Sequence, residues 1–286
     1  MKKSGLIGAA VLVALHTSPL QAKDLDRTMV SDGVISAQNA ALVAAVAGAG
    51  FGPQSPRDLT NPNGNNRRAF ASAPDRHLMN LCNIHFHENA EHRGGEFTIY
   101  AGNGDGHGNG TGFKYNGKLT EPELRPAVGP IGQSEHGDLI SGDTIEIHFV
   151  HSSANVKPGP TLFACVTEEI KNPQLRVEAV VAVLVNDTNA MSLTQLTDVK
   201  QVDGFFQAPN IPDTLGKPVG YAGSTTGPKY NEVASPFQVT WNVRPKVIKL
   251  DINTVAAWLA NNPFRENHAH GVRNLVINTD LLSPIY

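Results

Sequence analysis

The sequence has little charge of either sign and few aromatic residues. Only 17% of its 286 residues are charged, 6% are aromatic, and 23 basic side chains are balanced by 26 acidic ones. A nearly neutral chain lacks the basic surface that follows a phosphate backbone, so we expect no nucleic-acid partner. Disordered chains combine low hydrophobicity with high net charge, and the 40% of hydrophobic residues here excludes that class.

Long apolar runs are also missing beyond the first residues. Lys2 and Lys3 precede an apolar stretch from Leu6 to Leu15, and residues 18–22 offer a processing site, a pattern typical of an export signal. About ten apolar residues are too few for a bilayer, which takes roughly 20, and no later segment approaches that length. We therefore predict a signal peptide over residues 1–22, no integral membrane segment afterwards, and a periplasmic or secreted location.

Cysteine is scarce, with Cys82 and Cys165 as the two present. In an oxidising compartment these two would form a single disulfide that closes a long loop. Two buried free thiols are the alternative, because cysteine also behaves as a small hydrophobic residue. The sequence leaves both open.

The rest of the chain is organised as short β-branched runs separated by turns. No Pro/Ser-rich linker or charge run marks a boundary, so we predict one domain over residues 23–286. Helices are expected at Ala37–Ala47 and at Asn253–Ala260, the second capped by Asn253. Strands are expected at Leu81–His87, Thr144–His151, Thr161–Thr167, Arg176–Val185, Phe237–Val243 and Lys246–Ile252. The predicted fold class is predominantly β (α+β), with a few peripheral helices.

A glycine-rich stretch from Ala101 to Gly117 interrupts this pattern. It holds seven glycines but lacks the Gly-Lys-Ser/Thr ending of a phosphate loop. We predict a flexible surface loop, with a lid or metal-binding role as the alternative.

Histidine is abundant, with eleven in the chain, and two clusters have strand spacing. In His85-Phe86-His87 the two imidazoles share one face of a strand. In Thr144–His151 the alternation puts Glu146 and His148 together on one face, where a buried carboxylate needs a partner such as a ligand histidine. The alternative to metal binding is that the polar side chains of both strands simply face the solvent. The combination favours three histidine ligands, His85, His87 and His148, around a zinc ion whose fourth position stays open for water.

These residues resemble the delta class of carbonic anhydrases in its bacterial exported form. The likeness extends from Gly-Ala-Gly-Phe-Gly-Pro at 48–53 to His-Ala-His-Gly-Val-Arg-Asn-Leu at 268–275, and the active-site segments also resemble those of the alpha class. The resemblance implies a central, mostly antiparallel sheet like that of alpha carbonic anhydrases. It implies Zn²⁺ as cofactor and reversible hydration of carbon dioxide to bicarbonate by a zinc-bound hydroxide. The oligomeric state is left open.

The same resemblance implies roles for further residues. Ser-Glu-His at 134–136 is similar to the segment whose carboxylate orients a hydroxyl near the metal, which implies Glu135, with Glu91 as a rival in Ala-Glu-His at 90–92. Gly-Ser-Thr-Thr at 223–226 implies Thr225 as that hydroxyl, and Glu146 would support His148. An apolar pocket for carbon dioxide would be lined by Val150, Val183 and Trp241. Candidates for exporting the proton are His77, His92, His107 and His136, which the sequence does not rank.

Two other functions remain open at this stage. His85-x-His87 followed by Glu91 and Gly102 resembles the first motif of cupin-like oxygenases, which would bind iron or manganese through histidines and a carboxylate. A leading glycine is missing from that motif, since Met79 stands there. The second alternative is a non-catalytic exported zinc-binding protein, which could use the additional pair His268 and His270.

Overall fold

The computed structural model describes residues 29–68 and 70–286, and the predicted signal peptide lies outside them. Ten strands and three α-helices make up most of the regular structure in the described part. The strands are β1 Asn80–Glu88, β2 Phe97–Tyr100, β3 Phe113–Tyr115, β4 Thr144–Ser152, β5 Leu175–Val185, β6 Lys200–Val202, β7 Phe205–Gln207, β8 Val219–Ser224, β9 Gln238–Val243 and β10 Ile248–Asp251. The predicted β-rich class is confirmed.

Six of these strands form one central sheet in the order β1-β4-β5-β9-β8, with β10 also paired to β5. The long strand β5 is antiparallel to β4, while its first half pairs in parallel with β9 and its second half with β10. Because β5 is covered on both faces, its sequence is almost continuously apolar. Three of the five pairings are antiparallel and two are parallel, so the sheet is mixed rather than purely antiparallel.

Five of the six predicted strands are present, with ends shifted by a residue or two. The strand predicted at Thr161–Thr167 is wrong. That segment forms a short 3-10 helix, Leu162–Cys165, in which the Thr161 side chain accepts a hydrogen bond from the Phe163 backbone N–H. Cys165 at its end forms a disulfide with Cys82 of β1, across 83 residues of chain. The disulfide fixes this segment to β1, so it does not need strand pairing.

The helices are α1 Asp32–Val46, α2 Leu193–Leu196 and α3 Ile252–Ala260. Helix α1 begins earlier than predicted, and α3 is capped by Asp251 rather than Asn253, because the Asp251 carboxylate accepts from the Asn253 N–H at 3.0 Å. In the described part of the chain, no helix combines the length and the hydropathy needed to cross a bilayer.

The glycine-rich stretch differs from its predicted form. Gly104, Gly106, Gly108 and Thr111 are buried, and the Asp105 carboxylate accepts hydrogen bonds from the backbone N–H of His107 and of Asn109. These bonds fold residues 105–109 back on themselves. The prediction of a surface loop is therefore wrong for the centre of this segment, although His107 itself is exposed.

Each face of the central sheet is covered. On one face Ile84, Phe86, Ile147 and Phe149 pack with α3, where the Phe86 and Trp258 rings lie 5.8 Å apart. On the other face a second apolar cluster surrounds a group of polar side chains from β1 and β4; its members include Cys82, Val150, Val177, Tyr221, Val239 and Trp241. The alternation of the strands therefore separates a largely apolar face, where His151 is also buried, from the face that carries His85, His87 and His148.

Candidate metal centre

Three imidazoles converge on the second face of the sheet. The register of β1 and β4 places His85 directly opposite His148 and His87 opposite Glu146. The ring centroids are 4.7 to 5.2 Å apart, and one nitrogen from each of the three rings lies within 4.8 Å of the other two. Among the described residues, this is the one group of three or more ligand side chains close enough to share a metal ion. The structure thus brings the three predicted ligands together.

Each imidazole is oriented by a hydrogen-bond acceptor that occupies the nitrogen facing away from the other two rings. The acceptors are Asn83 Oδ1 for His85 Nδ1 at 2.6 Å, the Gly271 carbonyl for His87 Nδ1 at 2.9 Å, and Glu146 Oε1 for His148 Nε2 at 3.0 Å. Since these nitrogens carry the protons, the lone pairs lie on Nε2 of His85 and His87 and on Nδ1 of His148. His87 Nε2 is buried and has no hydrogen-bond partner within the described part of the chain. A metal ion fits this arrangement, because it would satisfy that nitrogen.

Burial also sets the protonation of the three rings. It lowers the pKa of all three histidines, assisted for His85 by the neighbouring imidazoles, and it brings the pKa of His87 to about 4. Neutral imidazole is the form that binds a metal. The ligands are therefore ready for a cation at neutral pH.

Glu146 lies beneath the triad and is fully buried. Burial alone would raise its pKa, but interactions with His92 and His148 outweigh that effect and hold the pKa of Glu146 well below its usual range. Its carboxylate accepts from His148 Nε2, from His92 Nδ1 at 2.7 Å, and from the backbone N–H groups of Glu91 and His92 at 2.8 and 3.2 Å. These four bonds satisfy a buried anion that would otherwise be costly.

His92 extends this network away from the triad. Its Nε2 lies 2.7 Å from the Tyr221 hydroxyl, and its ring is fully buried against Trp241, with centroids 4.9 Å apart. A buried ring with both nitrogens engaged cannot swing to the solvent. His92 is therefore excluded as an exposed proton-exporting histidine.

The structure does not bring Glu135 and Thr225 together. The Glu135 side chain is 86% exposed and lies 3.3 Å from His136, whereas Thr225 is buried and its hydroxyl shares a 2.6 Å hydrogen bond with Ser235. The two side chains therefore have different neighbours, because the segment around Glu135 lies on the surface. A match in local sequence could not reveal that.

Glu91, the rival carboxylate, lies next to the triad. It is 1% exposed, its Oε1 is 3.6 Å from His87 Nδ1 and accepts from the Arg273 backbone N–H at 3.2 Å. Burial raises the pKa of Glu91, and the nearby Thr226 hydroxyl partly offsets this rise. Within the described residues, Glu91 Oε2 has no partner in full hydrogen-bond geometry. Glu91 Oε2 therefore keeps lone pairs that are available to a hydrogen-bond donor at this site.

Thr226, which the sequence did not single out, follows the predicted Thr225 and lies near Glu91. Its signal was present, because Thr225 and Thr226 are adjacent in Gly-Ser-Thr-Thr, just as Glu91 and Glu135 each precede a histidine. The two threonines have different neighbours at the end of β8, since the Thr225 hydroxyl is bonded to Ser235 and Thr226 lies near Glu91.

Two of the three predicted pocket residues border the triad. The Trp241 ring lies 5.0 Å from the His148 ring, and Val150 follows His148 by two residues on the same face. Val183 does not border it. Ala179 pairs with His148, whereas Val183 pairs with Thr144, four residues and about 13 Å farther along the strand. That prediction for Val183 is wrong because it depended on local similarity without register.

A fourth histidine also lies beside the triad. The His270 ring is 5.5 Å from the His85 ring and 5.8 Å from the His87 ring, and its Nε2 is paired with Glu266 at 2.6 Å. His268 stacks on the outer side of His270 at 5.7 Å. The pair proposed for a separate metal-buffering site is therefore at the edge of the triad.

Comparisons with known proteins were consistent with this geometry. Residues 76–254 match the family model described as delta carbonic anhydrase. No curated protein sequence matches the chain at a significant level. The matched segment contains the three histidines, Glu91, Glu146 and Thr226.

Solved structures of carbonic anhydrases are also similar to the chain, at low identity. A hyperthermostable carbonic anhydrase from a hydrothermal vent chimney is 14% identical, with 82% of this chain and 86% of that chain covered and a TM-score of 0.28. The alpha carbonic anhydrase of Photobacterium profundum is 16% identical, with 86% and 95% covered and a TM-score of 0.27. That of Thermovibrio ammonificans, solved with sulfanilamide, is 12% identical, with 75% and 82% covered and a TM-score of 0.26. These TM-scores are too low to support an argument about the site. The family model, in contrast, spans more than half of the sequence, and the chain belongs to the delta carbonic anhydrase family.

Proposed function

We propose that this delta carbonic anhydrase uses zinc, held by His85, His87 and His148, to catalyse the reversible hydration of carbon dioxide. The observation that carries the proposal is the set of three neutral imidazoles whose unprotonated nitrogens converge, with His87 and His148 buried, His85 partly buried, and His87 Nε2 unsatisfied among the described residues. Three nitrogen ligands and one open position are the donor set of catalytic zinc. When bound, zinc lowers the pKa of a water molecule to about 7, a value established for carbonic anhydrases as a class, and so supplies hydroxide at neutral pH.

The chain's own residues supply orientation. The Glu91 carboxylate is fixed by the Arg273 N–H and faces the Thr226 hydroxyl. A hydroxyl that donates to Glu91 must present its lone pairs to the remaining space, where it can accept the proton of an attacking hydroxide and align that oxygen. We therefore assign the orienting role to Glu91 and Thr226.

The substrate side is apolar. Val150 and Trp241 border the triad, and the Trp241 Nε1–H is satisfied by the Ser224 carbonyl at 3.0 Å, so the indole presents only its apolar surface. Carbon dioxide has no hydrogen to donate and gains little from polar groups, so an apolar wall beside the ligands suits it.

The geometry gives less support to an oxygenase. That alternative needs a carboxylate ligand beside His85 and His87, yet the Glu91 oxygen nearest His87 faces Nδ1, the nitrogen already bonded to Gly271. The unprotonated nitrogens of the triad are Nε2 of His87 and its counterparts on the other two rings, and on the His87 ring Glu91 is nearest to Nδ1 instead. A buffering protein would need several exposed sites, whereas His87 and His148 are buried and His85 is partly buried.

We also propose that the mature protein is exported. The predicted signal peptide motivates this location, and the Cys82–Cys165 disulfide supports it, because disulfides persist in oxidising compartments. Detection of the protein in the periplasmic or medium fraction, with residues 1–22 removed, is the expected result. A cytosolic protein with an intact amino terminus would contradict it.

The decisive experiment for the function is a stopped-flow hydration assay combined with metal analysis on the purified mature chain. We expect one zinc per chain, turnover that disappears on chelation and returns with zinc, and no oxygen consumption. Stoichiometric iron or manganese with oxygen uptake would replace the proposal by the oxygenase. Several weakly bound zinc ions without turnover would replace it by a buffering protein.

A further inference from the structure

The glycine-rich segment 101–113 contacts two chain segments that border the ligand His87. Gly108 accepts a hydrogen bond from the Val272 N–H at 2.9 Å, next to the Gly271 carbonyl that orients His87. Ala90 and Phe113 exchange two backbone hydrogen bonds of 2.8 Å, immediately before Glu91. The segment therefore fixes the backbone on both sides of the His87–Glu91 contact.

Gly108 is the point of closest approach. A Cβ atom at this position would lie 2.6 Å from the Val272 carbonyl oxygen and 2.6 Å from Pro228 Cβ, and its φ of +99° favours glycine. Pro228 follows Thr226 by two residues, so this one residue touches both the Gly271–Val272 segment and the Thr226–Pro228 segment. A side chain at position 108 would have to push one of them away.

Gly271, which faces Gly108, also has little room for a side chain. A Cβ on Gly271 would meet the Gly108 carbonyl oxygen at 3.0 Å and Asn109 Oδ1 at 3.2 Å. The fold back at Asp105, which accepts from the N–H groups of His107 and Asn109, keeps Gly108 in this place. Two glycines thus pack backbone against backbone beside a metal-ligand support.

We propose that segment 101–113 is a positioning element of the metal centre, and that Gly108 is its positioning residue. By packing against Val272 and Pro228, Gly108 sets where the Gly271 carbonyl meets His87 and where Thr226 meets Glu91. This role rests on the proposed function, because it concerns the same three ligands. It explains why glycines that a mobile surface loop would not need are buried here.

The test compares Gly108→Ala with Gly106→Ala. Both positions have a left-handed backbone, but a Cβ on Gly106 (φ +78°) would meet the Val30 side chain at 3.2 Å rather than a segment of the metal centre. Both variants should lose thermal stability. Only Gly108→Ala should weaken zinc binding, by about tenfold in a chelator competition, as is typical when a partner of a ligand is displaced. It should also shift the visible absorption bands of the cobalt-substituted protein, which a loss of stability alone does not do.

A second variant protects the test against misfolding of Gly108→Ala. Gly271→Ala introduces a milder clash, and its position is not left-handed, so its zinc affinity should fall by less than that of Gly108→Ala, with a shifted cobalt spectrum. If Gly108→Ala and Gly106→Ala have equal affinities and spectra, or if Gly271→Ala retains both wild-type values, the positioning role is refuted. A wild-type protein that binds zinc but hydrates no carbon dioxide would refute the proposed function instead, and the comparison of affinities would still decide the loop's role.

Discussion

The two faces of β1 and β4 are built from alternate residues of the same strands, yet one packs into the apolar core and the other carries the candidate metal ligands. On one face Phe86, Ile147 and Phe149 pack against the helix α3 side of the core. On the other face His87, Glu146 and His148 form a network of directed hydrogen bonds, which leaves His87 Nε2 without a partner among the described residues. The stability of the apolar face depends on the total area that its side chains bury. The geometry of the polar face depends on individual hydrogen bonds.

Because the two faces differ in this way, substitutions on them should have different effects. Apolar contacts are non-directional, so a substitution on the first face should cost stability in proportion to the volume removed. Hydrogen bonds and metal ligands are directional, so a substitution on the second face should cost function before stability. The following predictions test this separation, from the largest effect to the smallest.

The largest effect is expected for His148→Ala. Removing one of three ligands should lower zinc affinity by more than about 100-fold, beyond the range for losing a ligand's hydrogen-bond partner, and hydration should vanish with it. Metal analysis after dialysis and stopped-flow kinetics measure both. Full zinc retention in this variant would remove His148 from the ligand set.

Phe149→Ala, the adjacent residue on the apolar face, is the matched opposite case. Truncation of a buried phenylalanine should lower the free energy of unfolding by about 3–5 kcal/mol. Denaturant unfolding measures this loss, and the folded protein should keep its zinc. If the variant is folded but metal-free, the two faces are not separable in the way that we describe.

Glu91→Gln and Glu135→Gln separate the two candidate carboxylates. The first should lower kcat/KM by about 100-fold, since it weakens the acceptor that aligns Thr226, while zinc stays bound. The second, on the exposed segment, should leave kcat/KM unchanged. The opposite ranking in stopped-flow measurements would restore Glu135.

The smallest expected effect is the pH dependence of stability that comes from His151, which is buried on the apolar face. Burial lowers its pKa to about 3, although its Nδ1 donates to the Phe149 carbonyl at 3.0 Å. The unfolded chain takes up a proton near pH 6.5 and the folded chain does not, so stability falls as the pH decreases from about 6.5 towards 3.

At pH 5 this difference amounts to about 2 kcal/mol relative to neutral pH. Denaturant unfolding of the wild type and of His151→Gln at pH 7 and pH 5 measures it. The variant should lose less stability over this interval. An equal loss in both proteins would show that His151 does not contribute.

Local pattern was enough for five of the ten strands, including β1 and β4, and for the convergence of His85, His87 and His148. The alternation in β1 and β4 put His85 with His87 and Glu146 with His148, and the register then aligned the two strands without further shift around these residues. Adjacent strands lie about 4.8 Å apart, so imidazoles on one face of neighbouring strands necessarily meet. These histidines could be predicted because side chains alternate between the two faces of a strand with a period of two residues.

Local pattern failed where the chain leaves the sheet. Glu135 and Glu91 sit in similar tripeptides, and only packing shows that one is exposed and the other buried. For the same reason the sequence could not show that Thr225 bonds to Ser235 while Thr226 lies near Glu91, or that the glycine segment is partly buried. None of these segments has a periodic pattern that fixes its side-chain directions.

The sequence by itself determined the β-rich class, the family and the histidines that face a common point, because strand periodicity and short-range motifs are properties of neighbouring residues. Only the tertiary structure decided which carboxylate and which hydroxyl accompany them, that Cys82 joins Cys165, and that a glycine segment packs beside His87. Those choices depend on residues distant in sequence that burial brings together, and burial is a property of the whole folded chain.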